Sequence, residues 1–99
     1  MITKNTGNKP DTVLVTFQLP ASIWAETVHL VGDFNGWNRS SHVLTRSKDD
    51  EAWQITLELE KGRVYQFRYL VDGTNWQNDW HADRYVPNPF GGDNSVLET

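Results

Sequence analysis

Ala52-Trp53-Gln54-Ile55-Thr56-Leu57-Glu58-Leu59-Glu60, followed by Lys61-Gly62-Arg63 and then Val64-Tyr65-Gln66-Phe67-Arg68-Tyr69-Leu70-Val71, is the stretch from which the fold can be read. In its first half Trp53, Ile55, Leu57 and Leu59 alternate with Gln54, Thr56, Glu58 and Glu60. An extended backbone sends successive side chains to opposite faces, so this segment has one apolar face and one wet face. In the second half Tyr65, Phe67, Tyr69 and Val71 share one face, and Val64, Gln66, Arg68 and Leu70 share the other. Lys61-Gly62 between them reads as a two-residue hairpin connection, and Asp72-Gly73 beyond them is a strong turn signal.

Upstream, Val13, Val15, Phe17 and Leu19 alternate with Leu14, Thr16 and Gln18 until Pro20 ends the run. Ser22 to Glu26 is a connector carrying Ile23 and Trp24, and Val28 to Gly32 is a second strand. Val43 to Arg46 is a short third strand, after which Ser47-Lys48-Asp49-Asp50-Glu51 reads as a solvated turn. Downstream, the segment 76–83 is too polar and aperiodic to assign. Pro87 and Pro89 make Arg84 to Phe90 an extended loop, Gly91-Gly92 a bend, and Asn94 to Leu97 a closing strand. No i, i+3, i+4, i+7 pattern persists for three turns anywhere in the chain. Short strands separated by turns predict an all-β fold, an antiparallel β-sandwich. Residues 1–11 read as a loose polar lead and residues 12–99 as one module.

The chain has 99 residues, enough for a single core without staples, and no cysteine. Its net charge of −4 argues against a nucleic-acid partner, whose affinity rests largely on phosphate neutralisation. No apolar run is long enough to span a membrane, and Met1 to Asp11 lacks the apolar centre of a signal peptide, so the cytoplasm is the expected compartment. Five tryptophans in so short a chain are the compositional clue to follow.

Leu30-Val31-Gly32-Asp33-Phe34-Asn35-Gly36-Trp37-Asn38 runs an apolar strand into a tight polar turn. Gly32 and Gly36 are expected to supply backbone freedom, and Asp33, Asn35 and Asn38 to close the turn by hydrogen bonds. Trp37 stands outside any alternating strand, where it serves either as a plug beneath its own loop or as a flat platform for a ligand.

The segments Val28 to Trp37, Trp53 to Leu59, Gly62 to Tyr69, Val71-Asp72-Gly73 and Phe90-Gly91-Gly92-Asp93-Asn94-Ser95-Val96 occur in order. Together they resemble carbohydrate-binding module family 48, the early-set immunoglobulin-like domain of isoamylases and glycogen branching enzymes. They also resemble the related glycogen-binding domain of the AMP-activated protein kinase beta subunit. The resemblance implies a sandwich of seven or eight strands that binds α-1,4-glucan (glycogen, starch or maltodextrin) without catalysis by this domain. It requires no cofactor or metal. A glycan-metabolising enzyme is the partner such a module would serve.

Pyranose rings offer apolar C–H faces and polar edges, so a sugar site needs aromatics with hydrogen-bonding groups between them. The resemblance gives Trp37 and Trp76 the stacking role and Arg68 the place of a lysine that donates to sugar hydroxyls. Asn94 matches a sugar-bonding asparagine, and Phe90 stands where relatives insert a leucine. Gly92 replaces a threonine donor, so that hydrogen bond is missing. Each has a plainer reading. Trp76 can anchor a loop, Arg68 can be a solvated strand charge, and Asn94 can be a strand-start turn residue. Trp80 either extends the platform beside Trp76 or locks the following loop.

For an enzyme, the chain offers no Gly-x-Ser-x-Gly, no thiol and no phosphate-cradling loop. The acidic cluster Asp49-Asp50-Glu51 falls on an exposed turn rather than across a cleft. Asp79, His81 and Asp83 alternate and would share one face of an extended backbone, a weak pattern for a cation. The other functional class that fits is a docking or regulatory sandwich that binds an enzyme or kinase subunit, with sugar binding weak or lost. An accessible Trp37 and Trp76 pair, with little apolar surface elsewhere, discriminates in favour of sugar.

Overall fold

A computed structural model of the chain describes residues 1–20, 25–47, 52–89 and 91–99. Trp24, the acidic cluster Asp49-Asp50-Glu51 and Phe90 lie outside the described residues. The described chain is all β apart from a single 3-10 turn, with nine strands: β1 (Ile2–Thr6), β2 (Thr12–Pro20), β3 (Val28–Gly32), β4 (Thr45–Arg46), β5 (Ala52–Glu60), β6 (Val64–Val71), β7 (Asn75–Gln77), β8 (Arg84–Pro87) and β9 (Asp93–Glu98). They form two antiparallel sheets, one ordered β1-β2-β5-β4 and one ordered β3-β6-β9-β8, with β7 also paired to β6.

The sandwich is the expected one, but β5 and β6 are not a hairpin. β5 pairs with β2 and β4 in the first sheet, whereas β6 pairs with β3, β7 and β9 in the second. The link Lys61-Gly62-Arg63 therefore crosses from sheet to sheet. Thr99 staples it, its hydroxyl donating to the Glu60 and Arg63 carbonyls at 2.7 and 3.2 Å. The reason is in the sequence itself. Each strand carries a complete apolar face, and two such faces are both buried when they oppose each other across a core.

That core is built from the inward faces. Val15, Phe17 and Leu19 of β2 and Trp53 of β5 oppose Phe67, Tyr69 and Val71 of β6, with Val28, Leu30, Leu44 and Leu97 completing the buried cluster. The β2–β5 register sets Phe17 opposite Ile55 and Leu19 opposite Trp53, which keeps both apolar rows on one side. Phe17 and Phe67 meet edge to face, with centroids 5.1 Å apart, and Phe67 meets Tyr69 in the same way at 5.7 Å.

Strands exceed the seven or eight expected because three polar segments join the sheets. Ile2–Thr6, within the lead expected to be loose, is the edge strand β1, paired residue for residue with β2 from Ile2–Phe17 to Thr6–Val13. Its sequence carries only one large apolar side chain, Ile2, so periodicity could not reveal it. An edge strand is held by its backbone ladder, not by an apolar row. β7 and β8 are likewise short and polar, and Pro87 closes an edge strand, where its missing N–H is tolerated. The expected third strand switches sheets. His42 and Leu44 exchange backbone hydrogen bonds with Leu30 and Val28 of β3, and Thr45–Arg46 then pairs with β5.

Candidate functional site

The outer face of the second sheet carries the residues that alternation had turned away from the core. Directly paired residues share a face. The pairs Val31–Arg68, Leu70–Trp76 and Gln66–Val96 therefore place Arg68, Gln66 and Trp76 together with Val31, Leu70 and Val96. The last three are buried, at 3 % exposure or less, yet stand apart from the core cluster. They give this face an apolar floor. Over it opens a groove of about 720 Å³ lined by Asp33, Trp37, Arg39, Gln66, Arg68, Trp76, Asn88, Pro89 and Asn94.

Trp37 reaches the groove by way of the turn after β3. Asp33–Asn35 is a single 3-10 turn, and Gly36 follows in the left-handed region at φ 64°. Gly36 thus supplies the conformational freedom expected of it. Gly32 does not, being fully extended at φ −173°. A side chain there would sit 2.6 Å from the Gln66 carbonyl and 2.7 Å from the Phe67 Cβ, so glycine is needed for close approach to β6. Asn35 closes the turn from within: its Oδ1 accepts from the Gly32 N–H at 3.1 Å and its Nδ2 donates to the Leu30 carbonyl at 2.9 Å. Asp33 fixes the turn to the sheet, accepting from the Gln66 N–H at 2.8 Å through Oδ2. Through Oδ1 it accepts from the Trp37 indole N–H at 2.8 Å.

Trp37 itself has φ 61°, a backbone conformation that bulky residues rarely adopt. Its N–H donates to the Gly32 carbonyl at 2.9 Å, so the strained residue is pinned by its backbone and by its ring nitrogen. The ring is half-buried and lines the groove. The indole is clamped by its edge to its own turn.

Trp76 lies on β7 rather than on a loop. Asp72 and Gly73, both at positive φ (53° and 73°), make the predicted turn, and Thr74 leads into β7, which begins at Asn75. Asp72 Oδ1 accepts from the Glu26 and Thr27 N–H groups at 2.7 and 3.0 Å, tying the turn to the start of β3. Arg68 and Arg39 both stack on Trp76, with guanidinium carbons 5.6 and 5.4 Å from the ring centroid. The Arg68 Nε is buried without a hydrogen-bond partner, so ring stacking, not hydrogen bonding, orients this side chain.

Asn94 is 9 % exposed and sits in a chain of amides. It donates to Gln66 Oε1 at 3.0 Å and accepts from Asn88 Nδ2 at 3.2 Å, while Asn88 Oδ1 accepts from the Gly92 N–H at 3.2 Å. The chain orders one wall and fixes which way each amide points. Four of the five residues expected at the site, Trp37, Arg68, Trp76 and Asn94, thus converge on one groove, and the fifth, Phe90, lies outside the described residues. Asp33, Arg39, Gln66, Asn88 and Pro89 were not expected there. Gln66 was within reach, two residues before Arg68 on the same strand face, but nothing in the sequence flags Arg39.

Asp79, His81 and Asp83 do not line the groove. Asp79, buried at 1 % exposure, accepts from the Tyr69 hydroxyl at 2.7 Å and from the Met1 ammonium at 2.6 Å through Oδ2. Its Oδ1 accepts from the His81 N–H at 2.7 Å. Burial first, then the Asp79 carboxylate beside it, pushes the Tyr69 hydroxyl well above the usual tyrosine range. Asp83 is paired with Lys4 at 2.7 Å, and no group of potential metal ligands occurs among the described residues. Trp80 is 59 % exposed and does not line the groove. No helix among the described residues is long and apolar enough to cross a membrane.

Comparison with known proteins places the chain in a family. The family description "Carbohydrate-binding module 48 (Isoamylase N-terminal domain)" matches residues 9–90. The chain is 34 % identical over 69 residues to the 1,4-alpha-glucan branching enzyme GlgB of Butyrivibrio fibrisolvens, covering 66 % of this chain and 10 % of the enzyme. It is 32 % identical over 69 residues to the GlgB of Myxococcus xanthus (strain DK1622), covering 66 % and 9 %. It is 30 % identical over 59 residues to that of Leifsonia xyli subsp. xyli (strain CTCB07), covering 56 % and 8 %. The chain matches about a tenth of the length of these relatives. With the family matched across most of its length and strands, the chain belongs to carbohydrate-binding module family 48.

Proposed function

We propose that this chain is a non-catalytic module that holds an α-1,4-glucan in the groove on the outer face of the second sheet. The observation that carries the reading is the convergence of Trp37, Arg68, Trp76 and Asn94 on that groove. Trp37 and Trp76 stack on the C–H faces of glucose rings. Arg68 offers its terminal N–H groups to hydroxyls, and the Asn88–Asn94–Gln66 amides exchange donors and acceptors with them. Phe90, which stands where relatives insert a leucine, is assigned the role of an apolar wedge.

Binding is weak, in the micromolar to millimolar range, because few groups converge and a flexible oligosaccharide loses entropy on ordering. The match to a small part of the branching enzymes supports a role that brings glucan to a catalytic unit lying elsewhere. The test is a maltoheptaose titration followed by tryptophan fluorescence on the native chain, Trp37→Ala and Trp76→Ala. Saturable binding lost in both variants, with melting curves intact, supports the reading. No response at millimolar oligosaccharide overturns it.

A further inference from the structure

Arg39 and Arg68 bring two positive charges to one ring, 5.4 and 5.6 Å from the Trp76 centroid. Two like charges on one ring raise the local positive potential, so the arrangement invites a counter-charge. Elsewhere the structure supplies one: Lys4 pairs with Asp83, Arg63 with Glu60 and Arg84 with Glu98. Among the described residues neither Arg39 nor Arg68 has a carboxylate partner. Asp33, the one acid lining the groove among the described residues, accepts from the Trp37 indole N–H through one oxygen and from the Gln66 N–H through the other. Two unpaired guanidiniums in a chain of net charge −4 run against its general balance.

We propose that the groove prefers an α-glucan bearing a phosphate monoester on a glucose hydroxyl over the unsubstituted glucan, and that Arg39 determines this preference. The inference rests on the glucan reading above. A phosphate monoester carries close to two negative charges and three acceptor oxygens, enough for two planar guanidinium forks to share. The aromatic rings hold the sugar that bears it, which separates this ligand from free phosphate. Arg68 is held on a central strand, while exposed Arg39, on the turn beyond Trp37, can follow the charged group.

The experiment compares maltoheptaose, the same oligosaccharide carrying one phosphate monoester, and inorganic phosphate on the native chain, Arg39→Gln and Arg39→Lys, by calorimetric titration. The phosphorylated sugar is expected to bind the native chain roughly fivefold tighter than the plain one at low salt. The advantage shrinks at about 0.5 M NaCl through screening. The ratio falls toward one in Arg39→Gln and stays intermediate in Arg39→Lys, which keeps the charge and loses the fork. Equal affinities in the native chain, an unchanged ratio in Arg39→Gln, or inorganic phosphate binding as tightly as the phosphorylated sugar would each overturn the proposal. If maltoheptaose binds and the phosphate adds nothing, the preference fails and the glucan reading stands. If neither sugar binds, both fail. Circular dichroism melts show that each variant is folded.

Discussion

At the scale of single residues, the site is organised by Trp37, whose backbone is held in the left-handed region by its own turn. Such strain costs roughly 1–3 kcal/mol and persists where the surroundings over-determine it. Alanine keeps the strain and glycine relieves it, so Trp37→Gly is expected to be more stable than Trp37→Ala by about 1 kcal/mol. On the proposed function, both are expected to lose maltoheptaose binding. Chemical denaturation of the pair checks this, and Trp37→Ala proving the more stable would mean that φ carries no cost here. Asp33 is the second residue on which the site depends, since it joins the indole to the sheet. Asp33→Ala should cost about 1 kcal/mol of stability. It should also weaken maltoheptaose binding several-fold, because a ring without its edge clamp must be ordered by the ligand. An unaltered affinity would show that Trp37 is oriented by packing alone.

At the scale of elements, what the sequence reveals depends on how much side-chain burial each element needs. β2, β5 and β6 each bury an apolar row, and alternation exposes them at once. The same alternation puts Arg68 on the outer face, which is why that part of the site is legible. β1, β7 and β8 are held mainly by backbone pairing and leave little pattern, so Trp76 reads as a loop residue although it sits on a strand. Alternation also cannot tell a hairpin from a crossing between sheets. For β5 and β6 that choice is made by the partners β2 and β9, far away in sequence. Gly32 shows a further limit, since its necessity comes from the approach of β6 and not from its own turn. Gly32→Ala is expected to cost roughly 1–3 kcal/mol by overpacking against backbone. It should also displace the Asp33–Trp37 turn. A wild-type melting temperature would contradict the close approach.

At the scale of the whole molecule, buried and bridging charges tie the ends of the chain to the sandwich. Burial raises the Asp83 carboxyl, but the Lys4 ammonium and the Glu98 N–H outweigh it and hold the group below the usual carboxylate range. Glu58 is lowered too, first by the Thr12 hydroxyl. Groups whose folded pKa is depressed give stability above their unfolded value that is lost as pH falls through the folded one. Stability should therefore fall as pH drops below about 4, and less steeply in Asp83→Asn. An identical acid slope in that variant would discount the Lys4–Asp83 bridge. Tyr69→Phe removes a donor from the buried Asp79 carboxylate and is expected to cost about 1.5–3 kcal/mol in urea unfolding.

Whether Trp37 and Trp76 together form one glucan site can be read from the indole N–H signals. The chain has five tryptophans, and Trp53, buried at 6 % exposure in the core, is a built-in reference. In a two-dimensional nitrogen–proton spectrum titrated with maltoheptaose, the Trp37 and Trp76 signals should move together along one saturation curve while Trp53 stays still. Movement of Trp80 alone, of Trp53 with the rest, or of no indole at all would contradict a shared Trp37–Trp76 site.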